Sequence, residues 1–307
     1  MAEAHRHPGP QAGPRSLGAA LALLLAYMAV EVVLALAAGS LALLSDAAHM
    51  LTDAAALALA LFAMRLAARP PRAGFTYGLR RAEILSAQAN GLVLLLLAGW
   101  LGYEAVRRLV HPPTVVGGVV LGTALAGVAV NVAATWLLSR ANRTSLNVEG
   151  AFQHILTDLY AFVATALAGL VILLTGFGRA DGIATLVVVV LMVRAAVGLL
   201  RDSGRILLEA APAGLRPEAL GGRLAAVDGV AEVHDLHIWE IASGQPALSA
   251  HVLVAPEYDC HAARRQMEAL LREEYRIAHT TLQVDHAQSD LLQIRRAQPG
   301  PPRPSDH

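Results

Sequence analysis

Long apolar runs separated by short polar breaks fill the first two-thirds of the chain, and a mixed, more charged pattern replaces them in the last third. Six runs, near 16–38, 41–66, 82–108, 114–139, 148–176 and 181–201, are each long enough to cross about 30 Å of hydrocarbon. The breaks carry turn residues: Gly39-Ser40 after the first run, His111-Pro112-Pro113 after the third and Gly176-Phe177-Gly178-Arg179 after the fifth. From 203 the period changes. Residues 215–227 predict a short amphipathic helix, and 230–241 and 247–255 predict strands joined by Ser243-Gly244-Gln245-Pro246. A second amphipathic helix is expected over 259–276 and a third strand over 280–285. The pattern divides the chain into a tail at 1–15, a helical region at 16–202, an α/β domain at 203–292 and a tail at 293–307. The first tail is rich in Pro, Gly, His and Ala, and the segment 298–307 is rich in Pro; both tails are expected to be disordered.

Composition agrees with the pattern. Of 307 residues, 55% are apolar and only 16% charged, with mean hydropathy +0.50, which excludes an ordinary soluble enzyme. Formal net charge is zero, so nothing points to nucleic acid as a partner. All 24 basic side chains are Arg, a bias that reflects genome composition and implies no mechanism. The single cysteine, Cys260, excludes an internal disulfide framework and a site of several thiolates. The first apolar run is too long for a signal peptide and lacks a clear cleavage site. Loop charge sets the expected orientation. Arg65, Arg69, Arg72, Arg80 and Arg81 lie between the second and third runs, Arg140 and Arg143 between the fourth and fifth, and Arg201 and Arg205 after the sixth. The opposite loops hold only Arg107, Arg108 and Arg179. Both termini are therefore expected to be cytoplasmic. The fold class is a polytopic α-helical membrane protein of six transmembrane helices with a small cytoplasmic α/β domain of α-β-β-α-β order.

One five-residue pattern occurs twice inside these runs, as His49-Met50-Leu51-Thr52-Asp53 and as His154-Ile155-Leu156-Thr157-Asp158. A His and an Asp four residues apart share a helix face. His49 lies roughly 14 Å from the outer turn and Asp158 roughly 16 Å from the inner end of its own helix, so the two pairs can meet near the midplane. Ionisable groups at that depth are costly and mark function. Two imidazole nitrogens and two carboxylate oxygens suit a tetrahedral Zn²⁺, with Co²⁺ and Cd²⁺ as relatives. Ca²⁺ and Mg²⁺ prefer more oxygen ligands and no imidazole. Met50 beside His49 is too little for a copper(I) site. Asp46, three residues before His49, either orients that imidazole or stands as a polar residue near the outer vestibule. Metal needs deprotonated ligands, and burial disfavours an empty charged site, so metal and protons compete for the same four groups. With no G-x-x-x-x-G-K-[ST] motif, the reading is a secondary antiporter and not a pump. A membrane metalloenzyme is the less favoured reading, because H-E-x-x-H is absent. A metal sensor or scaffold that binds without transporting would carry the same ligands.

Over about 16–290 the chain resembles the cation diffusion facilitator family, most closely its zinc-transporting branch. The resemblance rests on the stretch from Ser40 to Asp53, on Tyr77-Gly78-Leu79-Arg80-Arg81-Ala82-Glu83 and on the stretch from Asn147 to Asp158. It also rests on Leu207-Leu208-Glu209-Ala210-Ala211-Pro212 and on Val233-His234-Asp235-Leu236-His237-Ile238-Trp239. It implies a homodimer of six-helix subunits in the lipid bilayer, each with a metallochaperone-like cytoplasmic domain, exporting metal against protons. It places the transport site at His49, Asp53, His154 and Asp158. In the cytoplasmic domain it implies metal ligands at His234, His251, His279 and Asp285, with His261 as a further one and His237, Cys260 and His286 nearby. Some members carry another site in the second-to-third loop, built from Asp and His. Residues 69–81 have neither, so no such site is expected. Short loops suit a prokaryotic inner membrane.

Other polar residues in the runs are Glu31, Asn90, Asn131 and Asp181. Glu31 is expected to line the cavity or steady the bundle. Asn90 and Asn131 are expected to bond between helices, and Asp181 to begin the sixth helix. Gly18, Gly91, Gly99, Gly102, Gly122 and Gly127 are expected to permit close helix packing.

Overall fold

The structure, a computed structural model, describes residues 12–38, 41–111, 117–139 and 145–287; the side chains of Glu31, Asp46 and His49 lie outside the description. Most of each expected tail, and Arg140 and Arg143, also lie outside it. Six long helices come first: α1 (Ala12–Ala38), α2 (Leu41–Ala67), α3 (Ala82–Val110), α4 (Gly117–Ser139), α5 (Leu146–Thr175) and α6 (Ala180–Leu207). Of these, α3, the Leu121–Ser139 part of α4, α5 and α6 are long and apolar enough to cross a membrane, and α1 adds a shorter apolar stretch, Arg15–Val30. Two ends differ most from the sequence reading. Helix α1 starts at Ala12; Pro14 sits in its first turn, where a missing N–H costs nothing. Helix α6 runs on to Leu207, because Ser203 and Ile206 stay buried while Arg201 and Asp202 face out. Helix α5 stops at Gly176, whose φ of 71° lets its N–H close back on the Ile172 carbonyl.

Two compact units divide the chain: 1–213 together with 239–246, and 214–238 together with 247–307. In the first, α5 packs against every other long helix, so its side chains form the middle of the bundle. One apolar cluster joins α1, α2, α4 and α5 through Leu17, Leu24, Met50, Leu57, Leu138 and Ile155. Another joins α3 to α6 through Leu94, Ala98, Val188, Met192 and Ala196. Close approach depends on glycine at particular crossings. A Cβ on Gly127 of α4 would lie 2.3 Å from the Phe162 ring of α5, and one on Gly91 would lie 3.1 Å from Leu200 of α6. Gly102 has only an ordinary contact, and Gly18, Gly99 and Gly122 face open space, so the packing role expected for them is not observed.

Polar groups tie the bundle at specific points. The Asn147 amide of α5 donates to the Ala60 carbonyl of α2 at 2.7 Å, and the Asn90 amide of α3 donates to the Gly150 carbonyl at 3.2 Å. Asn131 instead donates to Gly127 of its own helix, so among the described residues its amide N–H makes no link between helices. Asp181 lies in the first turn of α6 and accepts from Arg108 at 2.6 Å. The residues grouped with this unit from the later chain also bond within it. The Leu146 N–H donates to Ser243 Oγ at 3.0 Å, and Arg80 donates to Gln245.

The second unit is built on α7 (Pro217–Ala225), β1 (Val230–Ala242), β2 (Gln245–Val254), α8 (Cys260–Glu274) and β3 (His279–His286). The sheet order is β1-β2-β3, with β2 and β3 parallel and in register from Ala247 opposite His279 to Val254 opposite His286. Parallel neighbours need a crossover, and α8 provides it, burying Ala263, Met267 and Leu271. Asp259 caps α8, accepting from the His261 N–H at 2.8 Å. The backbone N–H groups of Ala262 and His261 hold its carboxyl below the usual range.

Two tests follow from this packing. Gly127→Ala should lower stability by about 1–3 kcal/mol through overpacking, and Gly99→Ala should be nearly neutral, as read by thermal unfolding in detergent. A cap whose carboxyl is depressed on folding stabilises above the ordinary carboxylate range and loses that contribution as pH falls through its folded value. Protection from hydrogen exchange at the first turn of α8, taken relative to the intrinsic rate at each pH, should therefore fall in acid in the natural chain. In Asp259→Asn, where the cap remains but cannot titrate, that protection should stay constant over the same pH range.

Candidate metal centre

Asp53 sits near the middle of α2, about 18 Å from its first residue, and Asp158 sits at about the same distance along α5. His154 lies one turn before Asp158 and shares its face. All three are buried, at 4%, 2% and 7% exposure for Asp53, His154 and Asp158. His154 Nε2 lies 2.8 Å from Asp53 Oδ1 and 3.7 Å from Asp158 Oδ2. One ligand atom from each residue falls within 4.8 Å of the others. In a tetrahedron with bonds near 2.0 Å, ligand atoms stand about 3.3 Å apart, and the two measured separations bracket that length. His154 Nδ1 is buried and has no hydrogen-bond partner among the described residues. His49 stands one turn before Asp53, and Asp46 three residues earlier; their side chains lie outside the described residues.

The chemistry of this cluster follows from its burial. An imidazole wedged between two carboxylates in a dry interior is satisfied either by a shared proton or by a cation. The same lone pairs serve both, so the two occupants exclude each other. Asn147, seven residues before His154 on α5, fastens that helix to α2.

A second polar feature lies on another face of α5. A cleft of about 350 Å³ between α5 and α6 is lined by Glu149, Gln153, Thr157, Arg194 and Asp202 among others. The Gln153 amide donates to Glu149 at 2.7 Å, and Thr157 Oγ1 donates to the Gln153 carbonyl at 2.7 Å. Sequence reasoning passed over Arg194, although a charge in the middle of an apolar run is a visible signal.

In the α/β domain the structure brings His234 and His251 together, their rings edge to face with centroids 5.5 Å apart. His234 Nδ1 lies 3.2 Å from Glu232. Asp235 adopts φ of 53°, uncommon for a residue other than glycine. It lies 2.9 Å from His237 and 4.0 Å from His251. Asp235 stood in the quoted Val-His-Asp-Leu-His string but was not singled out. The strand register separates the other expected ligands. His251 pairs with Gln283, whereas His279 pairs with Ala247, about 13 Å away along the strand. Asp285 is opposite Leu253, two positions beyond the rung of His251. His261 lies in the first turn of α8, where its N–H donates to Asp259. His286 Nε2 lies 3.0 Å from the Tyr258 carbonyl. Among the described residues, the ligand atoms of this domain do not converge as closely as those of the membrane cluster.

Comparison with known proteins agrees with this architecture. Residues 17–208 match the family model for the cation efflux transmembrane domain, and 217–287 match that for the cytoplasmic domain of cation efflux proteins. The chain is 37% identical to the zinc transporter ZitB of Escherichia coli (strain K12), over 93% of each chain. It is 32% identical to the cadmium, cobalt and zinc/H(+)-K(+) antiporter of Bacillus velezensis, covering 100% of this chain and 99% of that one. It is 37% identical to the metal cation efflux system protein CzcD of Cupriavidus metallidurans, covering 97% and 96%. Paired apolar helices around a buried His-Asp cluster, followed by a small α/β domain, thus sit in a chain matched along nearly its whole length, and the protein belongs to the cation diffusion facilitator family of integral membrane cation-efflux transporters.

Proposed function

We propose that this transporter exports Zn²⁺ from the cytoplasm in exchange for protons, by alternating access to a site formed by His49, Asp53, His154 and Asp158. The observation that carries the reading is the convergence of Asp53, His154 and Asp158, from two helices, into one buried cluster. Two carboxylates and imidazole nitrogen form a donor set of intermediate softness that suits Zn²⁺, and Cd²⁺ and Co²⁺ are its nearest competitors. Relatives named for zinc, cadmium and cobalt support that range. Arrival of metal must displace the protons held by these groups, and protons arriving from the other side must displace metal. Opposing fluxes through one site are the result.

The surrounding assembly is part of the same proposal. All six long helices cross a prokaryotic inner membrane, with both termini and the α/β domain in the cytoplasm, and two copies form a homodimer. The match at 217–287 to the cytoplasmic domain of the family supports that arrangement. Cytoplasmic Zn²⁺ binds the α/β domain at His234 and His251, on neighbouring strands, with Asp285 two rungs along. The fuller set with His261 and His279 requires these two residues to approach that pair. Metal held there biases the inward-facing state only if it binds that state more tightly than the other.

In sealed vesicles, Asp53→Ala and Asp158→Ala should each abolish metal-driven proton flux while leaving unfolding in detergent cooperative. Undiminished flux in both variants would sink the assignment.

A further inference from the structure

The exposed side of α2 continues into a run of arginines that the proposed transport site does not use. Along this helix, Met50, Asp53, Leu57, Ala60 and Met64 are buried, at the spacing of one helix face. Leu51, Leu59 and Phe62 are exposed on the opposite side, Arg65 is exposed in the last turn, and Arg69 follows just past the end of the helix. Pro70 and Pro71 then stop the helix, and Arg72 opens an ordered turn. In that turn the Phe75 N–H donates to the Arg72 carbonyl at 3.0 Å and the Gly78 N–H to the Phe75 carbonyl at 2.9 Å. The fold of the turn leaves Phe75 61% exposed.

Charge in this segment is one-sided. From Ala54 to Ala82 there are five arginines and no Asp or Glu. Arg81 pairs with Glu209 at 3.3 Å and Arg80 donates to Gln245. Glu83, the next carboxylate along the chain, accepts from Ser145 at 2.6 Å. Among the described residues, no carboxylate pairs with the exposed guanidinium groups of Arg65, Arg69 and Arg72. Arg65 lies twelve residues, about 18 Å, beyond Asp53 on the same helix. Half the hydrocarbon thickness is about 15 Å, so with Asp53 near the midplane these arginines reach the level of lipid phosphates. Guanidinium groups bind phosphate oxygens in pairs, and an aromatic ring beside them suits the interface.

We propose that Arg65, Arg69 and Arg72, with Phe75 beside them, form a binding site for the phosphate of an anionic glycerophospholipid in the cytoplasmic leaflet. The inference rests on α2 crossing the membrane as proposed above, and its test reads lipid binding independently of transport. The delipidated full chain in neutral detergent is titrated with phosphatidylglycerol or phosphatidylcholine, and bound lipids are counted by native mass spectrometry. Phosphatidylglycerol should bind at least about ten-fold more tightly than phosphatidylcholine. Arg69→Gln alone should weaken it roughly five-fold, and the triple variant Arg65→Gln, Arg69→Gln, Arg72→Gln on the order of 100-fold. Arg264→Gln, a change in the α/β domain, should leave it unaltered. The proposal is overturned if the natural chain shows no preference for phosphatidylglycerol or if the triple variant keeps it. Equal weakening by Arg264→Gln, or displacement of the lipid by inorganic phosphate at similar concentration, also overturns it. Metal-driven flux of the triple variant in phosphatidylcholine vesicles, unchanged from the natural chain, separates loss of the lipid site from loss of the transport reading.

Discussion

The contact between His154 Nε2 and Asp53 Oδ1, 2.8 Å across the α2–α5 boundary, is the constraint to which the rest of the bundle answers. Neither group can be left alone at that depth, since a charge without a partner in a low-dielectric interior costs several kcal/mol. Placed together, each satisfies the other, and Asp158 stands close enough to join either a proton or a cation. The cluster is stable only while α2 and α5 keep their register. Asn147, bonded to Ala60, and the apolar contacts of Met50, Leu57 and Ile155 supply that register from either side of the charged atoms.

Helix α5 carries two of the three residues of the buried cluster and touches all five other long helices. That placement makes its surface the most heavily specified in the protein. Gly150 admits Leu199, Phe162 fills the space left by Gly127, and His154 with Asp158 face α2. A third face lines the polar cleft with α6, where Glu149, Gln153 and Thr157 form a hydrogen-bonded row. The apolar cluster of α3 and α6 is separate from the one that flanks Asp53, His154 and Asp158, so the two groups of helices meet chiefly through α5.

The α/β domain uses exposed histidines under looser control. His234 and His251 are both about half exposed, at 45%, and their neighbours Glu232 and Asp235 are also open to solvent. Water competes for such groups and weakens each pairwise attraction. A metal site there has to be closed by movement or by additional ligands, whereas the membrane cluster is already closed by packing.

Much of this was legible in the residues themselves. Apolar runs of span length, the arginines between the second and third runs, and Asp53, His154 and Asp158 as polar residues worth marking follow from periods and residue chemistry alone, and each is local in the chain. The helix-strand-strand-helix-strand order of the last third was likewise local, because alternation and turn residues announce each element. What distance along the chain conceals, only the tertiary structure decided. Parallel pairing put Gln283, not His279, opposite His251, because register depends on how far α8 carries the chain before it returns. Gly127 and Gly91 lie at tight crossings while Gly99 and Gly122 face open space, since a glycine has no side chain to declare what will stand beside it. Asn131 bonds within its own helix and Asn147 between helices, although both are amides in apolar surroundings. A sequence states which groups need partners; the fold, through packing of distant helices, chooses them.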